Sequence, residues 1–219
     1  MFNINNEDLF PDCMLPNCKR QALEGRHAHI LDHQLVILEN STKYLYCQGG
    51  VGSAKSIAFA ARSIKLSLEV DENEGVIGRK DYKLLYRSAW QDTKACIRKL
   101  VRLGYFAVYG IGLDNYEKKF YSSKKQGDYS TIRFPNGSII YAIQTKAWEE
   151  GLGPSYGWYW IDDAMESSEE LFVGHETSAG LISRLRLPRA TFYKAENGKT
   201  VSKLSGMVSS NPPPHNHWL

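Results

Sequence analysis

Residues 49–56 read Gly-Gly-Val-Gly-Ser-Ala-Lys-Ser and follow directly on the apolar run Tyr44-Leu45-Tyr46-Cys47. Glycines let the backbone fold so that successive N–H groups point inward, which is what an anionic phosphate chain needs. A helix starting at the end of the loop adds free N–H groups and the positive end of its dipole. Lys55 supplies a point charge for terminal phosphates, and the Ser56 hydroxyl is a hard oxygen suited to Mg²⁺. The candidate phosphate-binding residues are therefore Gly49, Gly50, Gly52, Ser53, Ala54, Lys55 and Ser56. The usual pattern has Gly immediately before the Lys. Ala54 stands there in this chain, and a single methyl is the smallest possible intrusion. The competing reading is a glycine-rich turn without a ligand; a strand before the loop and a helix after it argue for the phosphate site.

A second cluster is Trp158-Tyr159-Trp160-Ile161-Asp162-Asp163. Paired carboxylates after an apolar strand sit at the edge of a parallel sheet, where ligands bind in such folds. Asp162 would hold Mg²⁺ opposite Ser56, and Asp163 would orient a water or act as general base. Alone, an acidic pair after a strand is also a helix cap. Ser209-Ser210-Asn211-Pro212 follows the last strand; small polar side chains there can sense a γ-phosphate, although Ser-Asn-Pro by itself reads as a turn. The amide of Gln34 can donate and accept at once, which suits an adenine edge; an exposed helix position accounts for it equally well. A guanidinium at the developing charge accelerates γ-phosphoryl transfer. Arg184 and Arg186 are the leading candidates, with Arg79 and Arg87 beside them, each against the alternative of a surface ion pair. Cys13, Cys18, His27, His29 and His33 suggest zinc only loosely, since their spacing fits no finger pattern.

These residues need elements to hold them. The periodicity predicts a short helix over 31–40, a strand at 43–48, a helix from Ile57 to Leu68, a turn at 71–75 and a short strand at 76–78. It continues with one amphipathic helix over 83–101, a surface excursion at 104–128, and a hairpin of 130–134 and 138–143 around Asn136-Gly137. A strand at 157–161, a mostly helical stretch at 167–186 and a last strand at 199–209 complete it. Strands alternating with helices, with a glycine-rich loop after the first core strand, imply an α/β fold with a largely parallel central sheet flanked by helices, with an added β-hairpin. Residues 1–30 read as an N-terminal arm and 31–219 as one domain.

The chain has 219 residues, 42% hydrophobic and 23% charged, an ordinary globular balance. No apolar stretch approaches membrane-spanning length, so no membrane role is expected. The four cysteines, at 13, 18, 47 and 96 with two inside expected core elements, suit a reducing compartment rather than a disulfide scaffold. A net charge of +3 is too small to argue for nucleic acid, but basic residues crowd between Arg79 and Arg102. That stretch is a candidate face for DNA or for a neighbouring subunit.

Taken in order, these motifs resemble the ATPase domain of the large terminase subunit of tailed bacteriophages, the DNA-packaging motor. The resemblance covers roughly 30–219 and rests on the loop at 49–56, on Phe134-Pro135-Asn136-Gly137-Ser138-Ile139-Ile140, on Gly151-Leu152-Gly153, and on Trp160-Ile161-Asp162-Asp163-Ala164. It continues through Arg184-Leu185-Arg186 and Ser209-Ser210-Asn211-Pro212 to His217-Trp218. It implies a P-loop NTPase fold of the RecA/ASCE-like kind and ATP and Mg²⁺ as ligands, with Lys55 and Ser56 in the phosphate loop, Asp162 on the metal, and Ser209, Ser210 and Asn211 as the coupling motif. It implies double-stranded DNA, a portal protein and a small terminase subunit as partners, work as a homo-oligomeric ring with a monomer in isolation, and the host cytoplasm as location. Three departures stand out. The family's catalytic carboxylate is usually Glu, whereas this chain has Asp163, so either the sheet edge sits closer to the nucleotide or hydrolysis is slow. Val51 replaces an arginine common in the loop, which makes an arginine from a neighbouring subunit the expected source. The chain ends at Leu219, before the family's nuclease domain, so nuclease activity is not expected of it. A helicase-type motor and a nucleotide-gated assembly module with negligible turnover are the rival readings.

Overall fold

Trp158-Tyr159-Trp160-Ile161 is buried on both sides, and that strand organises the molecule. The computed structural model describes residues 4–11, 30–50, 53–105, 131–147, 155–175, 178–195 and 197–212. Its main sheet has six strands: β1 (Tyr44–Gln48), β2 (Glu74–Arg79), β3 (Thr131–Arg133), β4 (Ile139–Gln144), β5 (Trp158–Asp162) and β6 (Ser205–Ser210). The spatial order is β1-β6-β5-β2-β4-β3. Every pairing is parallel except β3 with β4, the hairpin closed by the turn at Asn136-Gly137, where Gly137 has φ 82°. The fold class is as the sequence implies.

Alternation along β5 divides the core. Trp158 and Trp160 face one layer with Phe59, Ile64, Trp90 and Leu100, contributed by α2 (Lys55–Glu69) and α4 (Ala89–Arg102). Tyr159 and Ile161 face the other, with Tyr156, Leu171, Phe172, Leu181 and Leu185. Phe59 stacks on Trp160, ring centroids 5.8 Å apart, and so fixes the helix that follows the glycine-rich loop against the strand that carries the acids. Gly75 on β2 is required by this packing: a Cβ there would enter the Trp158 ring. A short helix, α1 (Asp32–Glu39), lies against α2.

The structure departs from the expected elements in three places. The predicted helix over 83–101 is two helices, α3 (Tyr82–Arg87) and α4, broken at Ser88, whose φ of −126° and ψ of −105° are not helical. The predicted helical stretch at 167–186 is two single turns, Glu170–Val173 and Leu181–Arg184, separated by a tight ribbon. Gly180 lets the chain double back there, because a Cβ would run into the Phe172 carbonyl. The last predicted strand, 199–209, is Thr200–Val201 and then β6, separated by 202–204. In the N-terminal stretch Leu9 and Phe10 are buried in the core. The excursion at 104–128 falls outside the described residues from 106 onward, as do Gly151-Leu152-Gly153, His217-Trp218 and the zinc candidates Cys13, Cys18, His27 and His29.

Candidate functional site: a cleft beside the glycine-rich loop

Parallel strands β1, β5 and β6 end side by side, which brings residues distant in sequence to one sheet edge. A cleft of about 410 Å³ opens there, lined on one side by Ser53, Ala54, Lys55, Ser56 and Ile57. Its other side is formed by Arg79, Ser88, Asp92, Asp162, Asp163, Ser210 and Asn211.

The first wall follows β1. The Gly49 N–H donates to the Ser210 carbonyl at 3.2 Å, tying the loop to the end of β6. The Lys55 ammonium lies within the loop, donating to the carbonyls of Gly49 and Gly50 and, at 3.1 Å, to Ser53 Oγ. Val51 and Gly52 lie outside the described residues. Ala54 adopts φ 55° and ψ 27°, a left-handed conformation that costs an L-residue about 1 kcal/mol and a glycine almost nothing. Its methyl is therefore more than a steric detail: it places strain at the residue that starts α2.

Gln34 does not line the cleft. It is buried, its Oε1 accepts from the Leu31 N–H at 2.9 Å, and its Nε2 donates to the Ala54 carbonyl at 3.2 Å. The amide expected to read an adenine edge is thus engaged at both ends with the protein itself. His33, considered with the zinc candidates, has Nε2 at 2.9 Å from the Ser53 carbonyl, to which it donates.

The second wall is a network around Asp162. Its Oδ1 accepts from Ser209 Oγ at 3.0 Å and from Ser56 Oγ at 3.4 Å. Its Oδ2 accepts from Ser88 Oγ at 3.1 Å and from Arg79 Nη1 at 3.3 Å. Ser209 is paired with Asp162 in the sheet register and also accepts from Trp160 Nε1 at 2.9 Å. Burial pushes the Asp162 carboxyl up from the usual range, while Arg79 and the Ser209 and Ser88 hydroxyls pull it back down. Asp163, at φ 54° in left-handed backbone, accepts at Oδ2 from Arg79 Nη2 at 2.8 Å; its Oδ1 is buried without a hydrogen bond among the described residues. Asp92 is the third carboxylate of the cleft, raised to about 6 by burial and then by the charge of Asp162.

The sequence expectations meet this geometry unevenly. Lys55, Ser56, Asp162, Asp163, Ser210 and Asn211 converge, and Ser209 stands directly behind Asp162. Arg184 and Arg186 do not line the cleft: the Arg184 carbonyl accepts from Tyr156 N–H, and Arg186 is exposed with Nε donating to Ser155 Oγ. The guanidinium in the cleft is that of Arg79, one of the secondary candidates, at the end of β2. Ser88 and Asp92 escaped sequence reasoning, because a serine inside a helical pattern and an aspartate among basic residues carry no motif. Lys94, counted in the basic helix, is buried at 7% exposure and belongs to the interior.

Ser56 and Asp162 fit a hard divalent cation of the Mg²⁺ type, which uses one or two protein oxygens and completes its shell with waters and phosphates. Among the described residues, no group of three or more His, Cys, Asp or Glu side chains could hold a metal ion. No helix among them is long and apolar enough to cross a membrane.

No protein-family model and no curated protein sequence matches this chain. Solved structures do. The large terminase of a thermophilic bacteriophage superposes with a TM-score of 0.54 at 14% identity, over 85% of this chain and 40% of that one. A point variant of the large terminase ATPase domain of Thermus phage P74-26 gives 0.50 at 14% identity, over 95% and 72%. The architecture is therefore the P-loop, RecA-like α/β fold. It is the fold of phage large terminase ATPase domains, and this chain spans 40% of the length of the first of these two proteins.

Proposed function

We propose that this chain is the ATP-hydrolysing motor domain of a phage large terminase, powering the packaging of double-stranded DNA into a procapsid. The observation that carries the reading is the approach of Ser56 Oγ to Asp162 Oδ1, 3.4 Å across a cleft that also holds Lys55, in a terminase ATPase fold. In this reading the loop and Lys55 bind the triphosphate, and Ser56 with Asp162 holds Mg²⁺. When bound, that ion neutralises charge on the β- and γ-phosphates. Asp163 orients the attacking water and accepts its proton. Arg79 fixes both aspartates, and a further arginine comes from a neighbouring protomer of a ring. Loss of the γ-phosphate is felt at Ser210 and Asn211 and reaches Asp162 through Ser209. The portal protein and a small terminase subunit are the proposed partners, in the host cytoplasm. Lys94 being buried, the exposed residues Lys80, Lys83 and Arg87 of the same basic stretch are the candidate DNA or subunit face.

The test is phosphate release from ATP with Mg²⁺, with and without double-stranded DNA. Turnover that requires Mg²⁺ and rises with DNA supports the motor; no turnover at any protein concentration removes it. One observation favours a second reading, a nucleotide-gated assembly module. Asp163 has one oxygen engaged by Arg79 and the other buried, so neither is free to meet a water in this arrangement. ATP-dependent ring formation without phosphate release would select that alternative.

A further inference from the structure

The phosphate loop carries a strain that its own sequence does not relieve. Ala54 is left-handed at the position where the usual motif has glycine, and the residue after it is the lysine that must meet the phosphates. Two consecutive side chains of α1 reach the loop at this point. His33 Nε2 donates to the Ser53 carbonyl at 2.9 Å and Gln34 Nε2 to the Ala54 carbonyl at 3.2 Å. Neither residue lines the cleft, so both carbonyls are drawn toward a helix outside it. A carbonyl oxygen turned into a phosphate site would repel the anion; one held by a neighbouring donor does not.

The helix that provides these donors is itself anchored. At its start, Gln34 Oε1 accepts from the Leu31 N–H at 2.9 Å, so the amide cannot rotate without losing a bond. At its end, the buried Arg62 donates through Nη1 to the Ile37 carbonyl at 2.8 Å and to the Leu38 carbonyl at 3.3 Å. The Nη2 of the same guanidinium donates to Ser205 Oγ at 3.2 Å, at the beginning of β6. The helix is thereby propped between the phosphate loop and, through Arg62, the opposite end of β6.

We propose that Gln34 and His33 are positioning residues of the phosphate loop. They hold the Ser53 and Ala54 carbonyls outward, so that the left-handed turn persists with alanine in the glycine's place and Lys55 and Ser56 stay directed at the anion. The inference rests on the nucleotide reading above, and it gives Gln34 a task toward the loop in place of the purine edge.

The experiment uses the full chain with Gln34→Glu and His33→Ala, each alone and combined with Ala54→Gly. Gln34→Glu keeps the acceptor that serves Leu31 and exchanges the donor facing Ala54 for an oxygen, so it spares the helix start; His33 is exposed and its loss spares the core. The readouts are calorimetric affinity for ADP and for inorganic pyrophosphate, both with Mg²⁺, and amide hydrogen exchange over 49–56 without either. Each single variant is expected to weaken ADP and pyrophosphate by the same factor, roughly ten-fold. Exchange over the loop rises, and adding Ala54→Gly recovers most of the affinity, because glycine holds the turn without help. A Gln34→Glu chain that loses ADP but keeps pyrophosphate overturns the inference in favour of base recognition. Unchanged loop exchange, or no recovery with Ala54→Gly, overturns it as well. A wild-type chain that binds neither ligand defeats the nucleotide reading, while the exchange experiment still decides whether the brace exists.

Discussion

The two walls of the cleft are built on different principles. The wall after β1 is contiguous: Ser53 to Ile57 are consecutive, and the loop is shaped by backbone carbonyls and N–H groups. The wall opposite draws Arg79, Ser88, Asp92, Asp162 and Asp163 from β2, the α3–α4 break, α4 and the end of β5, and these residues meet through side-chain hydrogen bonds and ion pairs centred on Asp162. The first tolerates an irregular residue, Ala54, because neighbouring donors secure the backbone. The second tolerates two adjacent carboxylates because one guanidinium serves both. A backbone-built wall should therefore lose function on mutation with little loss of stability, whereas a side-chain-built wall should lose both.

The largest expected effect tests the first half of that contrast. Lys55→Ala should lower ATP turnover on the order of 10³-fold and barely move the urea midpoint; a chain that keeps a tenth of its activity would remove the phosphate role of this wall. Next comes Arg79→Ala, which strips the counter-charge from two mostly buried aspartates. It should cost about 3 kcal/mol of stability in urea unfolding together with most of the turnover, and a stable, inactive variant would break the comparison. Asp163→Asn keeps the left-handed backbone that Asn accepts and removes the charge. We expect roughly 10²-fold slower phosphate release with ADP affinity retained.

A smaller effect concerns Asp92. Its native carboxyl keeps its proton up to about 6, against 3.8 for the unperturbed group. Between those values the native state binds more protons than the unfolded chain, so this contribution lowers stability as pH rises through that window and is fully unfavourable above it. Asp92→Asn should flatten that limb of the melting curve and raise stability at neutral pH by roughly 1–2 kcal/mol. The smallest effect belongs to Ala54→Gly, where relief of the left-handed strain is offset by a more flexible unfolded chain, leaving a change under about 1 kcal/mol.

Much of the fold is legible in the sequence where the signal is local. The Asn136-Gly137 turn announced the hairpin, and the Lys55–Glu69 helix follows from its apolar spacing. The break at Ser88 is not legible, because Tyr82 to Arg102 has continuous helical periodicity and the residue at the interruption contacts Asp162, 74 positions away. The stretch at 167–186 misled for a similar reason: its residues tolerate a helix, but Gly180 folds them back on Phe172. In the site, the lysine, the serine and the acidic pair are motif residues. Arg79 was one arginine among several until the sheet order set β2 beside β5.

What the chain determines by itself is the set of candidate functional groups and the type of sheet that presents them. Loop glycines, a helix-starting lysine and serine, and acids after a buried strand are dictated by local backbone geometry and alternation. Which cation meets those acids, and which side chains hold the loop, was decided only when distant segments came together. Arg79 lies 83 residues from Asp162, and Gln34 lies 20 from Ala54. Such contacts depend on strand order and on where buried groups must find partners, and neither is written in the spacing of nearby residues.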